Sequence, residues 1–427
     1  PTRAAIATGH NIFETGYWDN VDAYDGKTPS WHHLLRDAGH DVVSIGKLHF
    51  RGWEGDDYGF SESLLPMHIH RGRGDVKMLL RDPPASIGDG SNMLKSAKAG
   101  TSDYTLYDDQ ITEQAIEWLH RRGSNDVGRK PWVLMVSMVA PHFPLTAPER
   151  FFDLYKGKPL RMPKAYSFGV DETAHPYVRN YGAFSGYNVH FRSEDDVRQA
   201  LTGYYGLVSA MDDKVGQILK ALNEARLSAD TRVLYLSDHG DNAGARGLWG
   251  KSTMYRESVG IPMILAGADV SAGKVEAGSV SHIDVFNTVL DAVGYDLARS
   301  TASTRSQSLF KPVDPARLAL SEYHTVGSKA AIFMLQDQST KYVHYCDLPP
   351  QLFDLDRDEA ELDDLAGRPD AADLLSLWDA RLRTICDPDV ADRRAKLRQQ
   401  ELIEFYGGEE TVRAQQNIGG YTPSPAS

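Results

Sequence analysis

The residues best suited to catalysis lie in segment 237–241, which reads Ser-Asp-His-Gly-Asp and directly follows an apolar, β-rich run over residues 232–236. In an open α/β sheet, ligands bind beyond the carboxyl ends of the strands. Carboxylate oxygens and imidazole nitrogens both bind divalent cations, so Asp238 and His239 predict half of a metal site. The alternative is structural: Asp238 caps the next helix and His239 is an ordinary loop residue.

Two other β-rich runs also end in cationic or titratable side chains. Residues 41–45 lead into Lys47 and His49, which share a face if the strand geometry continues. Residues 132–139 form a continuous apolar run, typical of a strand buried on both faces, and His142 follows it. Strand ends of a parallel sheet meet at one edge, so these side chains are predicted to lie near the metal site.

Together these side chains describe a pocket for a tetrahedral oxyanion. Lys251, thirteen positions after Asp238, adds a second lysine to Lys47. Lysines neutralise a bound anion and the charge that develops on its oxygens in the transition state. A histidine near its pKa can protonate the leaving-group oxygen. Each residue alone also has a structural explanation, but the joint pattern predicts metal-assisted phosphoryl or sulfuryl transfer.

Alternating helical and β-rich segments position these residues and predict an α/β fold, a large and mostly parallel sheet sandwiched by helices. Regions 53–104 and 156–192 are rich in glycine and polar residues and predict long surface excursions. Periodicity and capping signals predict helices over residues 1–8, 31–38, 109–122, 195–227 and 284–293, and strands over residues 41–45, 132–139, 232–236 and 261–265.

A change of pattern near residue 315 predicts a second, smaller unit. Short β-rich runs at 318–323, 330–335 and 341–345 suggest an antiparallel sheet, and a helix is predicted over 371–385. We therefore divide the chain into three parts. Residues 1–314 form a catalytic α/β domain, and residues 315–390 form an α+β subdomain of antiparallel sheet plus helix. Residues 391–427 form a polar tail that is predicted to contact other subunits.

The composition excludes several classes of protein. The 427 residues carry 46 Lys and Arg against 59 Asp and Glu, a formal net charge of −13, which argues against a nucleic-acid partner. No apolar run approaches the length that spans a membrane. The two cysteines, Cys346 and Cys386, have no metal-binding spacing between them and are predicted to be reduced core residues.

Five segments, in order, resemble motifs of the type I sulfatase family of the alkaline phosphatase superfamily. Pro-Thr-Arg at residues 1–3, with Thr-Gly at 8–9, resembles the end of the signature Cys-x-Pro-Ser/Thr-Arg. The other four are Gly-Lys-Leu-His at 46–49, Pro-His-Phe-Pro at 141–144, Ser-Asp-His-Gly-Asp at 237–241 and Gly-Leu-Trp-Gly-Lys at 247–251. Segments 17–20, 321–328 and 341–342 are most similar to the choline-sulfatase group.

The resemblance implies a divalent metal, calcium in the first place with manganese or magnesium as alternatives, and Asp238 and His239 would be two of its ligands. It also implies a formylglycine nucleophile, made from Cys or Ser by a formylglycine-generating enzyme, two positions before Pro1. Further metal ligands and a central strand would precede it. We expect that the sequence begins downstream of these elements; a truncated inactive chain and a natural pseudoenzyme are the alternatives.

The resemblance also implies roles for residues around the nucleophile. Arg3 would brace the nucleophile, and Lys47 would bridge it to the ester oxygens. His49 would act on the hydrated aldehyde during turnover.

Other residues would hold the sulfate group. His142 and Lys251 would bind it and help the leaving group depart, and Asn20 would donate a hydrogen bond to it. The substrate would be a small anionic ester.

Hydrolysis of sulfate monoesters is the leading hypothesis, with choline sulfate as the first candidate substrate. A quaternary ammonium group needs aromatic faces and a carboxylate, and Trp18, Trp53, Tyr323 and Glu322 are candidates. One alternative is hydrolysis of phosphonate monoesters or phosphodiesters, although Lys47 and His49 favour the sulfatase. The other is a non-catalytic anion-binding protein. We also expect a homo-oligomer, a dimer or tetramer, located in the cytoplasm, with periplasmic export as the alternative.

Overall fold

The computed structural model describes residues 1–85, 89–123, 130–169, 171–416 and 422–425. Within these residues the strands are β1 (Asp41–Lys47), β2 (Glu62–Met67), β3 (Lys98–Ala99), β4 (Trp132–Ser137), β5 (Thr146–Ala147), β6 (Arg232–Leu236), β7 (Met263–Gly267), β8 (Ala319–Tyr323), β9 (Ile332–Gln336), β10 (Thr340–Tyr345) and β11 (Gln351–Asp354).

The helices follow the predicted periodicity closely. In chain order they are α1 (Thr2–Thr8), α2 (Ile12–Thr15), α3 (Trp31–Asp37), α4 (Asn92–Lys95), α5 (Asp103–Gly123), α6 (Glu149–Phe152), α7 (Pro176–Ser185), α8 (Glu194–Glu224), α9 (Arg256–Val259), α10 (Asp284–Ala292), α11 (Ala372–Ile385), α12 (Pro388–Phe405) and α13 (Gly408–Ala414). No helix of the described residues is long and apolar enough to cross a membrane.

The large layer of sheet is mixed and mostly parallel. Strand β1 lies between β2 and β4 and is parallel to both. Strands β6 and β7 form an antiparallel pair, and β3 and β5 form a short parallel pair. The predicted fold class, an α/β sheet followed by a smaller antiparallel unit, is confirmed.

Helices cover both faces of this layer. Alternate side chains of a strand point to opposite faces, so neighbouring residues of β1 report on the two sides. Val43 packs with the apolar side of α5 and α8, where Ile111 is fully buried. Val42 packs with α3 and α10, where Leu290 is fully buried. The sheet therefore lies between two helical layers.

A slot separates β4 from β6. Both strands line one cavity of about 1110 Å³, and the side chains of α8 close one of its sides. Within the described residues β4 pairs only with β1, and β6 only with β7. Each strand thus has one edge without a ladder partner, and the two edges border the same cavity.

The C-terminal unit is a complete antiparallel sheet. Its strands follow the order β11-β10-β9-β8, and α11 packs on one face through Trp378 and Leu382. Helix α12 returns to the large layer, where Gln399 donates a hydrogen bond of 2.9 Å to Asp19. The proposed boundary between residues 390 and 391 falls inside α12.

Several predicted elements differ from the structure. The excursion over 53–104 contains β2, and the excursion over 156–192 contains α7. The fourth strand of the C-terminal sheet, β11, was not predicted, because acidic residues follow it closely. The run at 132–139 was predicted to be buried on both faces, which is wrong: all six residues of β4 are partly exposed, because the slot opens beside them.

Candidate active site

Three strand ends meet at the guanidinium of Arg3. Its Nη1 donates to the carbonyl of Lys47, the last residue of β1, at 2.7 Å, and to Oγ of Ser137, the last residue of β4, at 2.9 Å. Its Nε and Nη2 lie 3.1 and 3.0 Å from one carboxylate oxygen of Asp238, two residues past β6. Arg3 therefore connects the parallel strands to β6 across the end of the slot.

Helix α1 brings Arg3 to this position because its inner side is small. Ala4, Ala5 and Ala7 are buried there, so the helix axis approaches the neighbouring elements closely. Gly9 ends the helix with φ +68°, and a Cβ at this position would lie 2.8 Å from the side chain of Phe286 in α10. A left-handed φ in a close contact requires glycine.

The ammonium group of Lys47 lies almost entirely inside the protein. The residue is only 4% exposed. Burial, with the charge of Arg3, lowers the pKa of Lys47 to about 7, although Asp238 acts in the opposite direction. Gly46 immediately before it has φ +99°, and a Cβ there would lie 2.3 Å from the carbonyl of Ser137. Any other residue would separate the ends of β1 and β4.

His49 does not lie on the strand face that the sequence predicted for it. The strand ends at Lys47, and His49 has φ +53°, so the two residues do not continue one strand face. Burial, followed by the charges of Lys47 and Arg3, lowers the pKa of His49 well below its usual value. Its Nε2 is buried and has no hydrogen-bond partner in the described residues. A neutral imidazole with an open nitrogen is the result.

His142 and Lys251 form a second pair at the same end of the slot. The Nδ1 of His142 lies 2.8 Å from the carbonyl of Phe143, which can only accept, so Nδ1 carries the proton. The free lone pair on Nε2 lies 3.3 Å from Nζ of Lys251. Burial, then the charge of Lys251, lowers the pKa of His142 well below its usual value. The pair therefore holds one ammonium proton between two nitrogens.

Asp238 and His239 fit two ligands of a divalent cation. The Nδ1 of His239 contacts the carbonyl of Gly240 at 2.8 Å, and its Nε2 lies 3.6 Å from the free carboxylate oxygen of Asp238. Burial alone would raise the pKa of Asp238, but the charges of Arg3 and Lys47 hold it well below its usual value. Burial lowers the pKa of His239 to about 3, which leaves the neutral, metal-binding form.

This pair supplies only part of a coordination shell. Calcium takes about six to eight oxygen ligands. In the part of the chain that the structure describes, no third His, Cys, Asp or Glu joins Asp238 and His239 in a cluster of three donors. Among the described residues, the candidate ligands at this place are therefore Asp238 and His239.

Two carboxylates that support the site were not assigned a role from sequence. Asp108 of α5 is fully buried and accepts from the backbone N–H of Val139 at 2.7 Å, which fixes the chain before His142. Burial raises its pKa to about 6. The sequence contains a sign of this role, because Asp108 lies on the apolar side of α5, at helical spacing from Ile111. Asp241 accepts from the N–H of Gly250 at 3.0 Å and so holds the loop before Lys251.

Asn20 is one of two predicted site residues outside the lining of the cavity. It does not line the cavity that contains the six other predicted residues Arg3, Lys47, His142, Asp238, His239 and Lys251, and His49 is also absent from that lining. Asn20 belongs to a turn whose buried Asp19 accepts from the N–H of Val21 at 2.8 Å. Its contact with sulfate stays a prediction.

Three of the four residues considered for an ammonium group have structural partners. Glu322 accepts from the N–H of Ile12 at 2.6 Å, Trp18 is 3% exposed, and the hydroxyl of Tyr323 donates to a carbonyl. The ring of Trp53 is 49% exposed, with the guanidinium of Arg51 stacked on it at 4.4 Å.

Comparison with known proteins identifies the family of this chain. The profile of the sulfatase family matches residues 1–295. A choline-sulfatase of Rhizobium meliloti (strain 1021) is 32% identical over 395 residues, which cover 89% of this chain and 76% of that protein. Arylsulfatase K of Danio rerio is 26% identical over 432 residues, covering 95% of this chain and 78% of that protein.

Solved structures share the fold. A 2-O GAG sulfatase superposes with a TM-score of 0.67 at 18% identity, covering 100% of this chain and 88% of that one. The phosphonate monoester hydrolase of Silicibacter pomeroyi gives a TM-score of 0.70 at 22% identity, covering 90% of this chain and 85% of that one. The family profile spans well over half of the chain. The chain therefore belongs to the sulfatase family of sulfuric ester hydrolases.

Proposed function

We propose that this protein hydrolyses sulfate monoesters with the help of a divalent metal and a formylglycine nucleophile. The main support for this proposal is that Arg3, Lys47 and the Lys251–His142 pair lie together at the end of the slot. These groups place positive charge and a proton donor around a space that a sulfate group can enter. Preorganised charge of this kind stabilises the charge that develops on transferred oxyanions.

The residues of this cluster have different roles in the proposed reaction. Lys47 and Lys251 bind the non-bridging sulfate oxygens, and Arg3 keeps the three strand ends in register. The proton between Lys251 Nζ and His142 Nε2 is placed to pass to the ester oxygen as the alcohol departs.

Two groups that the sequence does not contain complete the proposal. Asp238 and His239 would hold a cation that would supply Lewis acidity, and the formylglycine would supply a hydroxyl nucleophile. Support for the place of the formylglycine comes from α1, which begins at Thr2 and brings Arg3 into contact with Asp238. A residue two positions before Pro1 would lie near the same cluster.

The substrate we propose is a small alkyl sulfate, with choline sulfate first. The similarity to a choline-sulfatase supports this choice. In this proposal a cationic leaving group replaces the Arg51 guanidinium on the half-exposed ring of Trp53, so Trp53→Ala should raise KM for choline sulfate more than for 4-nitrophenyl sulfate. An equal effect on both substrates would remove Trp53 from the proposal.

The test compares three activities of the natural protein and of Lys251→Ala. We expect turnover of choline sulfate and 4-nitrophenyl sulfate to exceed turnover of a phenyl phosphonate monoester, and peptide mapping to show formylglycine. A preference for the phosphonate would favour the second candidate, whose fold is shared by the Silicibacter pomeroyi enzyme. Sulfate binding without any turnover would identify a non-catalytic anion-binding protein.

We also propose that the protein forms homo-oligomers through its C-terminal helices. Leu397 and Phe405 of α12 are 67% and 73% exposed, which is unusual for large apolar side chains. Light scattering after gel filtration should show a dimer or tetramer, and Leu397→Glu with Phe405→Glu should shift it toward the monomer. A monomeric natural protein would contradict this proposal.

A further inference from the structure

A second group of metal-binding side chains lies far along the chain from the active site, at the C-terminal sheet. One ring nitrogen of His344, Sγ of Cys346 and a carboxylate oxygen of Asp389 all lie within 4.8 Å of one another. In the part of the chain that the structure describes, this is the one group of three such donors. It was not visible in the sequence, since 43 positions separate Cys346 from Asp389.

The fold brings the three donors together. His344 in β10 and Cys346 just beyond it are two residues apart, so the pleat places them on the same face. Helix α11 crosses that face, and the chain turns through Pro388 into α12, whose first turn carries Asp389. Two donors thus come from a rigid strand and one from a helix start.

One nitrogen of the His344 imidazole lies near a carboxylate, and the other has no hydrogen-bond partner among the described residues. Its Nδ1 lies 3.3 Å from a carboxylate oxygen of Asp379, which also accepts from the hydroxyl of Tyr342 at 3.0 Å. Its Nε2 is buried and has no hydrogen-bond partner in the described residues. Metal-binding histidines characteristically donate one N–H to a carboxylate and ligate through the other nitrogen. An unpartnered buried nitrogen is otherwise costly.

The surroundings favour a cation with a path from solvent. Carboxylates of Asp347, Asp379 and Asp392 accompany Asp389, and the nearby cations are Arg383 and Lys396. The side chain of Asp389 is 49% exposed, so an ion can enter from outside. One oxygen of Asp389 is held by Arg383 at 3.1 Å, which leaves the other free.

We propose that His344, Cys346 and Asp389 bind a zinc ion, with water as the fourth ligand. Zinc accepts a thiolate, an imidazole and a carboxylate, whereas calcium and magnesium select oxygen ligands and are disfavoured by the thiolate. Binding replaces the thiol proton of Cys346 with a zinc–sulfur bond and releases that proton to solvent. With zinc bonds of about 2.0–2.3 Å, the donors need to move closer by on the order of 1 Å.

Cobalt alone is the probe, because a cysteine thiolate bound to Co²⁺ gives a near-ultraviolet charge-transfer band. The active-site candidates contain no sulfur, so the band reports this site and does not depend on the proposed function. In the full chain, stripped of metal with a chelator, we expect the band on adding Co²⁺ and its loss on adding Zn²⁺. Cys346→Ser should abolish it, and the matched control Cys386→Ser should keep it.

Two further variants separate a metal site from a packing role. His344→Gln should weaken Zn²⁺ binding at least tenfold, and Asp379→Asn, a positioning residue, roughly tenfold. Zn²⁺ should raise the Tm of the natural protein and of Cys386→Ser but not of Cys346→Ser. Absence of the band in the natural protein, or its survival in Cys346→Ser, would overturn the proposal. Sulfate-ester turnover is expected to be unchanged in Cys346→Ser.

Discussion

The two sheets of this protein have similar apolar strands but different surroundings. In the C-terminal sheet, residues 332–335 of β9 are all buried: α11 covers Phe333 and Leu335, and the α7 side of the sheet covers the other two. In the large layer, every residue of β4 is partly exposed and β6 borders the same slot. Apolar composition therefore predicts a strand in both cases, but only the neighbouring elements decide whether that strand is enclosed.

The two sheets also treat a buried lysine differently. Lys341 in β10 is enclosed, and its ammonium group is paired with the carboxylate of Glu361. Lys47 at the end of β1 is equally enclosed, but Arg3 and Lys251 add positive charge around it. The first lysine is neutralised inside the fold. The second keeps a charge that a bound anion can neutralise, which marks a site built for ligand rather than for stability.

The largest expected effect is on turnover. Lys47→Met and Lys251→Ala should each lower kcat for 4-nitrophenyl sulfate by about 10²–10³, because each removes a donor to developing negative charge. Lys396→Met, at a lysine that is 46% exposed, is the matched control and should keep full activity. A tenfold or smaller loss in both active-site variants would contradict the roles given to these lysines.

The second effect is on stability of the C-terminal sheet. Lys341→Met should lower the free energy of unfolding by about 3–5 kcal/mol, because it leaves the carboxylate of Glu361 buried and unpaired. Adding Glu361→Leu should recover much of this loss, since no buried charge then remains. Urea unfolding measures both. Equal stability of the single and the double variant would show that the pair is not coupled.

The pH dependence of unfolding stability tests whether the pKa of Lys47 is lowered. Its pKa is lowered to about 7, below the value of about 10.4 in an unfolded chain. Between these values the unfolded state binds more protons, so stability rises with pH from 7 upward. At pH 7, Lys47→Met should unfold at a higher urea concentration than the natural protein. Its free energy of unfolding should also rise less as the pH increases above 7. The series is run with the metal chelated, and an unchanged slope would contradict a depressed pKa.

The smallest effect compares one valine from each sheet. Val343 in β10 is 1% exposed, and truncation to alanine should cost about 2 kcal/mol. Val233 in β6 lines the slot, so Val233→Ala should cost less than about 1 kcal/mol, because it deletes few contacts. Urea unfolding of the two variants measures these two losses of stability. Equal losses would mean that the side chain of Val233 is enclosed in the protein in solution, as it would be beside a further strand.

Local signals were sufficient for most elements of the fold. The helix at the start of the chain ends at Gly9 as predicted, and the strand over residues 232–236 has the predicted bounds. Strand β2 was missed because Pro66 and charged neighbours interrupt its pattern, and its pairing with β1 depends on contacts distant in sequence. Helix α7 was missed among loop-like residues, although Pro176 at its first turn is a helix-start signal.

The site was predictable in composition and less so in geometry. Strand-end logic placed Lys47, His142 and Asp238 at one edge, because the carboxyl ends of parallel strands coincide. It could not place His49, whose positive φ turns it away from the strand face. It also could not assign Asp108, since a carboxylate on a helix acquires its role only from the backbone N–H groups it meets.

The sequence by itself determined which chemistry is present: lysines, histidines and a carboxylate after apolar runs, in the order that one family uses. Tertiary structure decided which of them meet. Arg3 reaches Asp238 across 235 positions, and His344 and Cys346 meet Asp389 only because α11 folds back over β10. Motifs are local and survive in the order of residues, whereas pKa values, pairings and coordination depend on distances that only the folded chain creates.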